Sequence, residues 1–154
     1  MTDPSAEAVL RYHEQTKHHL DRYARSLGYM DWDNQPDPFR LYEGALRIAL
    51  PLLSEDPPVG YPGLFEACRP SVPFGLANIA GVLELSVGLS AWKETAGSRW
   101  PLRMNPSSGN LHPTETHLVL PGMEGCPGGI YHYSPLHHCL ERRAEISAVL
   151  WERI

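Results

Sequence analysis

Near the start of the chain, mostly apolar positions recur every three or four residues: Val9, Tyr12, Thr16, Leu20, Tyr23 and Leu27. Asp3-Pro4 suits a helix start and Gly28 a helix end, while His13, Lys17, His18, Asp21, Arg22 and Arg25 fill the other face. The spacing predicts an amphipathic helix over 4–27, lying on something larger. From Met30 to Arg40, Trp32, Pro36, Pro38 and Phe39 predict an extended connector, because each proline disfavours helix in the residue before it. A short helical or strand-like piece over 42–53 follows, then a proline-rich loop over 54–63 and one helical turn over 64–68.

The next apolar face is Leu76, Ile79, Ala80, Leu83, Val87 and Ser90, widened by Val82, Leu85 and Leu89. Only Glu84 is charged before Lys93, which predicts a helix over 76–92 buried on most sides and leaving at Gly97. Residues 106–113 read as a loop. Residues 116–120 and 130–133 read as strands that can pair across the turn holding Pro121-Gly122 and Cys126-Pro-Gly-Gly129. Ser134-Pro135 then opens a last helix over 136–153, with Leu140, Ala144 and Ser147 on one side. The order predicts an α+β fold with too few strands for a complete sheet, so a fragment or half of an intertwined dimer is expected.

Composition narrows the function classes. With 154 residues and 42% hydrophobic content, the chain is long enough for one cored domain. Its formal net charge of -5, with no basic run, argues against nucleic acid as the partner. No apolar run reaches the ~18–20 residues of a membrane span. The N-terminus lacks the basic-then-apolar pattern of a signal peptide. Three scattered cysteines, Cys68, Cys126 and Cys139, do not suggest a disulfide framework, so a reducing cytoplasm is expected.

The segment with the densest chemistry is Asn105-Pro-Ser-Ser-Gly-Asn-Leu-His-Pro113. Ser107 and Ser108 offer hydroxyls, and Asn110 offers an amide with donors and an acceptor. Gly109 lets backbone approach a ligand or take a positive φ, and Pro106 and Pro113 stiffen the ends. Such a loop suits reading the edge of a flat heterocycle. An isoalloxazine has that kind of edge, with alternating donors and acceptors. The same residue types also dominate ordinary turns.

The pattern Pro-Ser-x-x-Asn-x-(Gln/His)-Pro before a strand resembles the flavin-edge loop of FMN-dependent nitroreductases. Leu89-Ser-Ala-Trp-Lys93, Arg103 to Glu115 and Gly129-Ile-Tyr-His-Tyr-Ser-Pro135 are similar, in content and order, to the SagB-type dehydrogenase branch of that superfamily. Tyr12 to Lys17 and Gln35 to Arg40 resemble its leader region. The resemblance implies a partial nitroreductase-like fold, with helices packed on a small, mostly antiparallel sheet. It divides the chain into a helical leader and connector over 1–63 and the N-terminal half of the nitroreductase-like domain over 64–154, with the C-terminal half absent. It implies FMN as cofactor and NAD(P)H as a possible reductant. Cofactor contacts would come from Arg103, Pro106, Ser107, Ser108, Asn110 and His112, with Arg103 near the phosphate or ribityl chain. His112 stands where many relatives have Gln. No protein nucleophile or catalytic side chain is required.

The resemblance further implies hydride transfer to a small-molecule or peptide substrate of azoline, nitro or quinone type, in a homodimer or paired with a second such unit. The family's usual phosphate segment has only Cys68-Arg-Pro-Ser-Val-Pro73 as a counterpart, with one arginine. With the family's C-terminal half absent, and with it a glycine-containing flavin loop and a final phosphate-binding basic residue, this chain alone is expected to bind FMN weakly or not at all. The alternative is a nitroreductase-like scaffold that has lost flavin and is not an enzyme.

Other constellations read more plainly. His132, His137, His138 and Cys139 lack zinc-site spacing, as do the other histidines, and are read as solvated or capping. His132, between Tyr131 and Tyr133, is expected to face solvent, and Cys139 to be structural. Trp92, Trp100 and Trp151 read as core anchors, and Lys93 and Arg99 as the polar end of a buried helix or as phosphate partners. Glu141, Arg142, Arg143 and Glu145 read as a solvated helix face.

Overall fold

The computed structural model describes residues 4–26, 28–29, 31, 34–65 and 72–153. The chain divides into two compact units, residues 1–35 and 36–154. The boundary read at 63/64 therefore falls inside the second unit. Part of the stretch read as leader is built into that unit's sheet.

In the first unit, helix α1 spans Pro4–Thr16 and none of its residues is buried. The helix read over 4–27 thus ends eleven residues early. Chain from beyond the helix folds back onto its last turn. The His19 ring nitrogen and the Arg22 guanidinium both reach the Glu14 carbonyl, at 2.9 and 3.2 Å. Those side chains satisfy a carbonyl that a continuing helix would bond through its own backbone. Leu20 and Tyr23 are exposed, so no burial rewards the continued stripe.

In the second unit, four antiparallel strands form a sheet in the order β1-β6-β5-β4: β1 Arg47–Ala49, β4 His117–Leu120, β5 Gly129–Ser134 and β6 Cys139–Glu145. Helix α2, Leu76–Val87, buries Ala80, Gly81 and Leu83. Its core partners are Leu50, Leu120, Tyr131, Tyr133 and Leu140. Val82 and Leu85 are exposed, so α2 buries one face and not most of its surface. A separate hairpin pairs β2, Leu89–Thr95, with β3, Ser98–Arg103.

Two elements differ from the sequence reading, each at a backbone kink. The helix read over 76–92 stops at Val87 because Gly88 turns extended (φ -68, ψ 170) and continues as β2. A Cβ at Gly88 would lie 2.5 Å from the Glu84 carbonyl oxygen, so only glycine fits that corner. Gly97, read as the helix exit, is instead the hairpin turn, with φ +43 at Ala96 and +87 at Gly97. The helix read over 136–153 is strand β6 followed by the short helix α3, Ala148–Trp151. Residues 135–138 turn β5 into β6, with His138 at φ +45.

The two faces of the sheet differ in chemistry. Ile48, Leu140 and Tyr133 align across β1, β6 and β5 on the face toward α2. On the other face Arg47 pairs with Glu141, Glu141 with His132, and His132 with His117, a polar row across all four strands.

Candidate functional site

The loop read as chemistry-bearing connects β3 to β4. It leaves the hairpin at Arg103, and the Met104 amide donates to the Gly88 carbonyl at 2.9 Å. A single 3-10 turn spans Ser108–Asn110, with Gly109 at φ +66. Asn110 and His112 also adopt left-handed backbone, at φ +57 and +46. For asparagine this is tolerable, because its short amide bonds locally; for histidine it needs support from neighbours.

That support is visible. The His112 amide donates to Ser107 Oγ at 2.9 Å, and the Asn110 amide donates to the Ser107 carbonyl at 3.1 Å. The ring Nε2 of His112 lies 2.8 Å from Asn110 Oδ1. With the amide oxygen as acceptor, Nε2 carries the proton. His112 is buried, and its Nδ1 has no partner; nor do the buried Asn105 Oδ1 and Arg103 Nε. Burial lowers the His112 pKa and the Arg103 cation adds to the effect, while the Pro101 carbonyl opposes it.

The sequence-derived residues thus fall into two groups. Ser107, Asn110 and His112 interlock to hold the bend. Ser108 and Pro106 are exposed on its outer side. Asn110 turns its amide oxygen inward, and among the described residues its Nδ2 donors have no partner. The loop lines neither the apolar groove between Phe74, α2 and β4 nor the cleft beside Tyr133, His137 and His138.

Arg103 is buried within the chain. Its guanidinium donates to the Pro38 carbonyl and lies over the Phe39 ring, 5.1 Å from the centroid. Phe39 in turn packs on Trp92 at 5.9 Å, and Arg99 covers Trp92 at 4.3 Å. Trp92 is partly exposed on the hairpin, so it anchors a cation–aromatic stack there and not a helix end. Burial lowers the Arg103 pKa from its ordinary value, and the Glu115 carboxylate opposes that shift. Arg69 and Cys68, the candidates for phosphate binding and a further thiol, lie outside the described residues.

A second cluster escaped the sequence reading. His132, expected to face solvent, is fully buried. Its Nδ1 is 3.0 Å from Glu141 Oε2 and its Nε2 is 2.7 Å from Glu115 Oε2. Glu141, read as part of a solvated helix face, is also fully buried; it accepts from Arg47 Nε at 3.0 Å and from the Tyr42 amide at 3.2 Å. The Tyr42 ring packs edge-on to His132 at 5.0 Å, with Arg143 3.6 Å above Tyr42. The misreading of β6 as a helix hid this cluster, because only the strand register brings Glu141 opposite His132. Among the described residues no group of three or more His, Cys, Asp or Glu is arranged to hold a metal ion. No described helix is long and apolar enough to cross a membrane. Cys139 is buried, and burial raises its thiol pKa, the opposite of a reactive thiolate.

The residues fit an isoalloxazine edge in part. The Ser108 hydroxyl and the Asn110 Nδ2 group are free to meet ring acceptors, and the bend around them is internally fixed. A phosphate is less well served here, since Arg103 is turned onto Pro38 and Phe39.

No family model matches this sequence, and no curated protein matches it. Two chains among the solved structures do; one is a protein from Anabaena variabilis described as a "putative nitroreductase". It is 28% identical, with a TM-score of 0.60 over 94% of this chain. The match spans 26% of that protein's chain, about a quarter of its length. Together with the antiparallel sheet and the helix packed on it, this likeness gives the chain a nitroreductase-like α+β fold, present in part.

Proposed function

We propose that this chain is part of an FMN-dependent oxidoreductase of the nitroreductase superfamily, of the SagB-type dehydrogenase kind. Its loop 105–113 serves the edge of the flavin ring. The observation that carries the reading is the geometry of that loop. Ser107, Asn110 and His112 lock one another into a left-handed bend, which leaves the Asn110 Nδ2 donors without a partner among the described residues and Ser108 exposed. The likeness to the Anabaena protein supports the fold-level part of the reading.

When bound, FMN would supply two-electron redox chemistry, passing hydride either from a reduced nicotinamide to a nitro or quinone-type substrate or from an azoline-type substrate to an external oxidant such as dioxygen. The chain's own contribution is orientation. Asn110 Nδ2 and Ser108 donate to ring acceptors, Gly109 allows close backbone approach, and Pro106 and Pro113 limit the bend's freedom. Arg103 fixes the incoming end of the loop through Pro38 and Phe39. The phosphate partners would come from a second nitroreductase-like unit, in the same polypeptide or in a partner copy. The substrate class that suits this chemistry is a small molecule or peptide bearing an azoline, nitro or quinone-type group, and the working compartment is the cytoplasm.

A second reading is favoured by one observation, the engagement of Arg103 within the chain. On that reading the fold is kept as a scaffold and the flavin is lost. The protein purified from its host as the full product of its gene separates the two. Flavin absorbance near ~450 nm, a property of the cofactor itself, is expected. A colourless protein with no affinity for added FMN would establish the scaffold reading.

A further inference from the structure

The cleft beside the turn from β5 to β6 takes no part in the flavin reading. It holds about 330 Å³, at the small end of the usual range for ligand sites. Leu52, Leu89, Pro135 and Leu136 give it apolar walls, and Glu84 of α2 and Tyr133 of β5 bring polar atoms to it.

What the cleft offers a guest is acceptors in an apolar setting. Glu84 is half-buried, and its Oε2 accepts from the Leu53 amide at 2.8 Å. Leu53 also packs on the bare Gly81, one turn earlier on α2, where a Cβ would lie 3.1 Å from its Cδ2. The carboxylate is thus held in place with Oε1 left over. Among the described residues no lysine, arginine or histidine forms an ion pair with Glu84. Its charge is felt across the cleft: the Tyr133 phenol is pushed up to about 12, by burial first and then by Glu84. The Tyr133 hydroxyl lies 2.8 Å from His138 Nδ1, and His138 Nε2 lies 3.1 Å from the Pro51 carbonyl. Both nitrogens of His138 are therefore engaged, while a phenol oxygen bonded once keeps a lone pair for a second donor. His137, the other ionisable group on the wall, is exposed.

These features select a guest. A carboxylate with no cation, set among apolar walls, favours a positive group on an apolar stem. With Oε2 taken by a backbone amide, a planar guanidinium fork cannot pair cleanly with both oxygens, whereas an ammonium needs only one. We propose that this cleft binds a primary alkylammonium group, with the ammonium on Glu84 Oε1 and the stem along Leu89 and Leu136. A free amine and the lysine side chain of a peptide share that chemistry. Asn110 and Ser108 play no part in it, so it stands or falls apart from the flavin reading.

Nitrogen-15 NMR of the full-length protein, titrated with n-butylammonium chloride at neutral pH, tests it. Saturable shifts are expected at Leu53 and over 133–138. The neutral isostere n-butanol should bind about tenfold more weakly, as loss of a charge-assisted contact implies. Glu84→Gln keeps an acceptor for the Leu53 amide and should weaken the amine by a similar factor. Leu136→Trp should fill the cleft and abolish the shifts, with thermal melting used to confirm that each variant is folded. The comparison of amine with alcohol on the wild type stands without either variant. Absence of saturable shifts, equal affinity for butanol, or undiminished binding in either folded variant overturns the proposal. A Gly-Lys-Gly tripeptide capped at both ends separates the two sources: tighter binding than butylammonium assigns the site to a peptide lysine, and equal or weaker binding to a free amine.

Discussion

Asn110 and His112 illustrate how a few polar atoms hold an unusual backbone. Both residues are left-handed, and each is stabilised through the other's side chain at 2.8 Å. The arrangement favours a neutral His112, because a second ring proton in this buried place would sit beside the Arg103 cation. Burial, then Arg103, puts the folded-state pKa below the ordinary 6.5. Above 6.5 the folded and unfolded chains both keep His112 neutral, and its contribution is complete. As the pH falls below that value the unfolded chain takes the proton first, so stability declines. Melting temperatures of wild type should therefore fall more steeply than those of His112→Gln between neutral pH and about 5. Parallel curves would remove His112 as the cause. The residue types in this loop were legible in the sequence, because Pro, Ser, Gly and Asn in that order have a local reason to bend. That His112 and Ser107 brace the bend was not legible, since the contact depends on φ values that no spacing encodes.

At the scale of elements, glycine decided where the sequence reading held and where it failed. The apolar run from Leu76 has helical spacing through Ser90, yet the chain turns at Gly88, where a side chain would collide with the Glu84 carbonyl. Gly88→Ala is expected to destabilise the second unit by about 1–3 kcal/mol, as overpacking does. Urea denaturation should show it as a lower midpoint with an unchanged slope. An unchanged midpoint would mean that the corner relaxes freely. The signal was present, a glycine after Val87, but the longer apolar period outweighed it. The strands β4 and β5 were legible because they alternate between turn residues. Strand β6 was not, because Cys139 to Glu145 reads equally well at helical spacing, and only pairing with both β1 and β5 selects the strand. That error carried the polar row with it, so His132 and Glu141 were assigned to solvent.

At the scale of the molecule, a small sheet separates two kinds of chemistry. One face is the apolar core on α2; the other carries the row Arg47–Glu141–His132–His117, next to the outgoing end of the loop. The α+β class and the nitroreductase-like fold were legible from the loop and its flanking blocks. The division into units was not, because β1 enters the sheet from a stretch that reads as connector. The account's central claim is that the Asn110 amide meets a flavin edge. Equilibrium titration of FMN into the full-length protein, wild type against Asn110→Ala, tests it most directly. A loss of about 1–3 kcal/mol in binding, roughly 5- to 150-fold, is predicted from the ring acceptors left unpaired. Equal affinities in the two proteins, or a wild type that takes up no FMN, would contradict it.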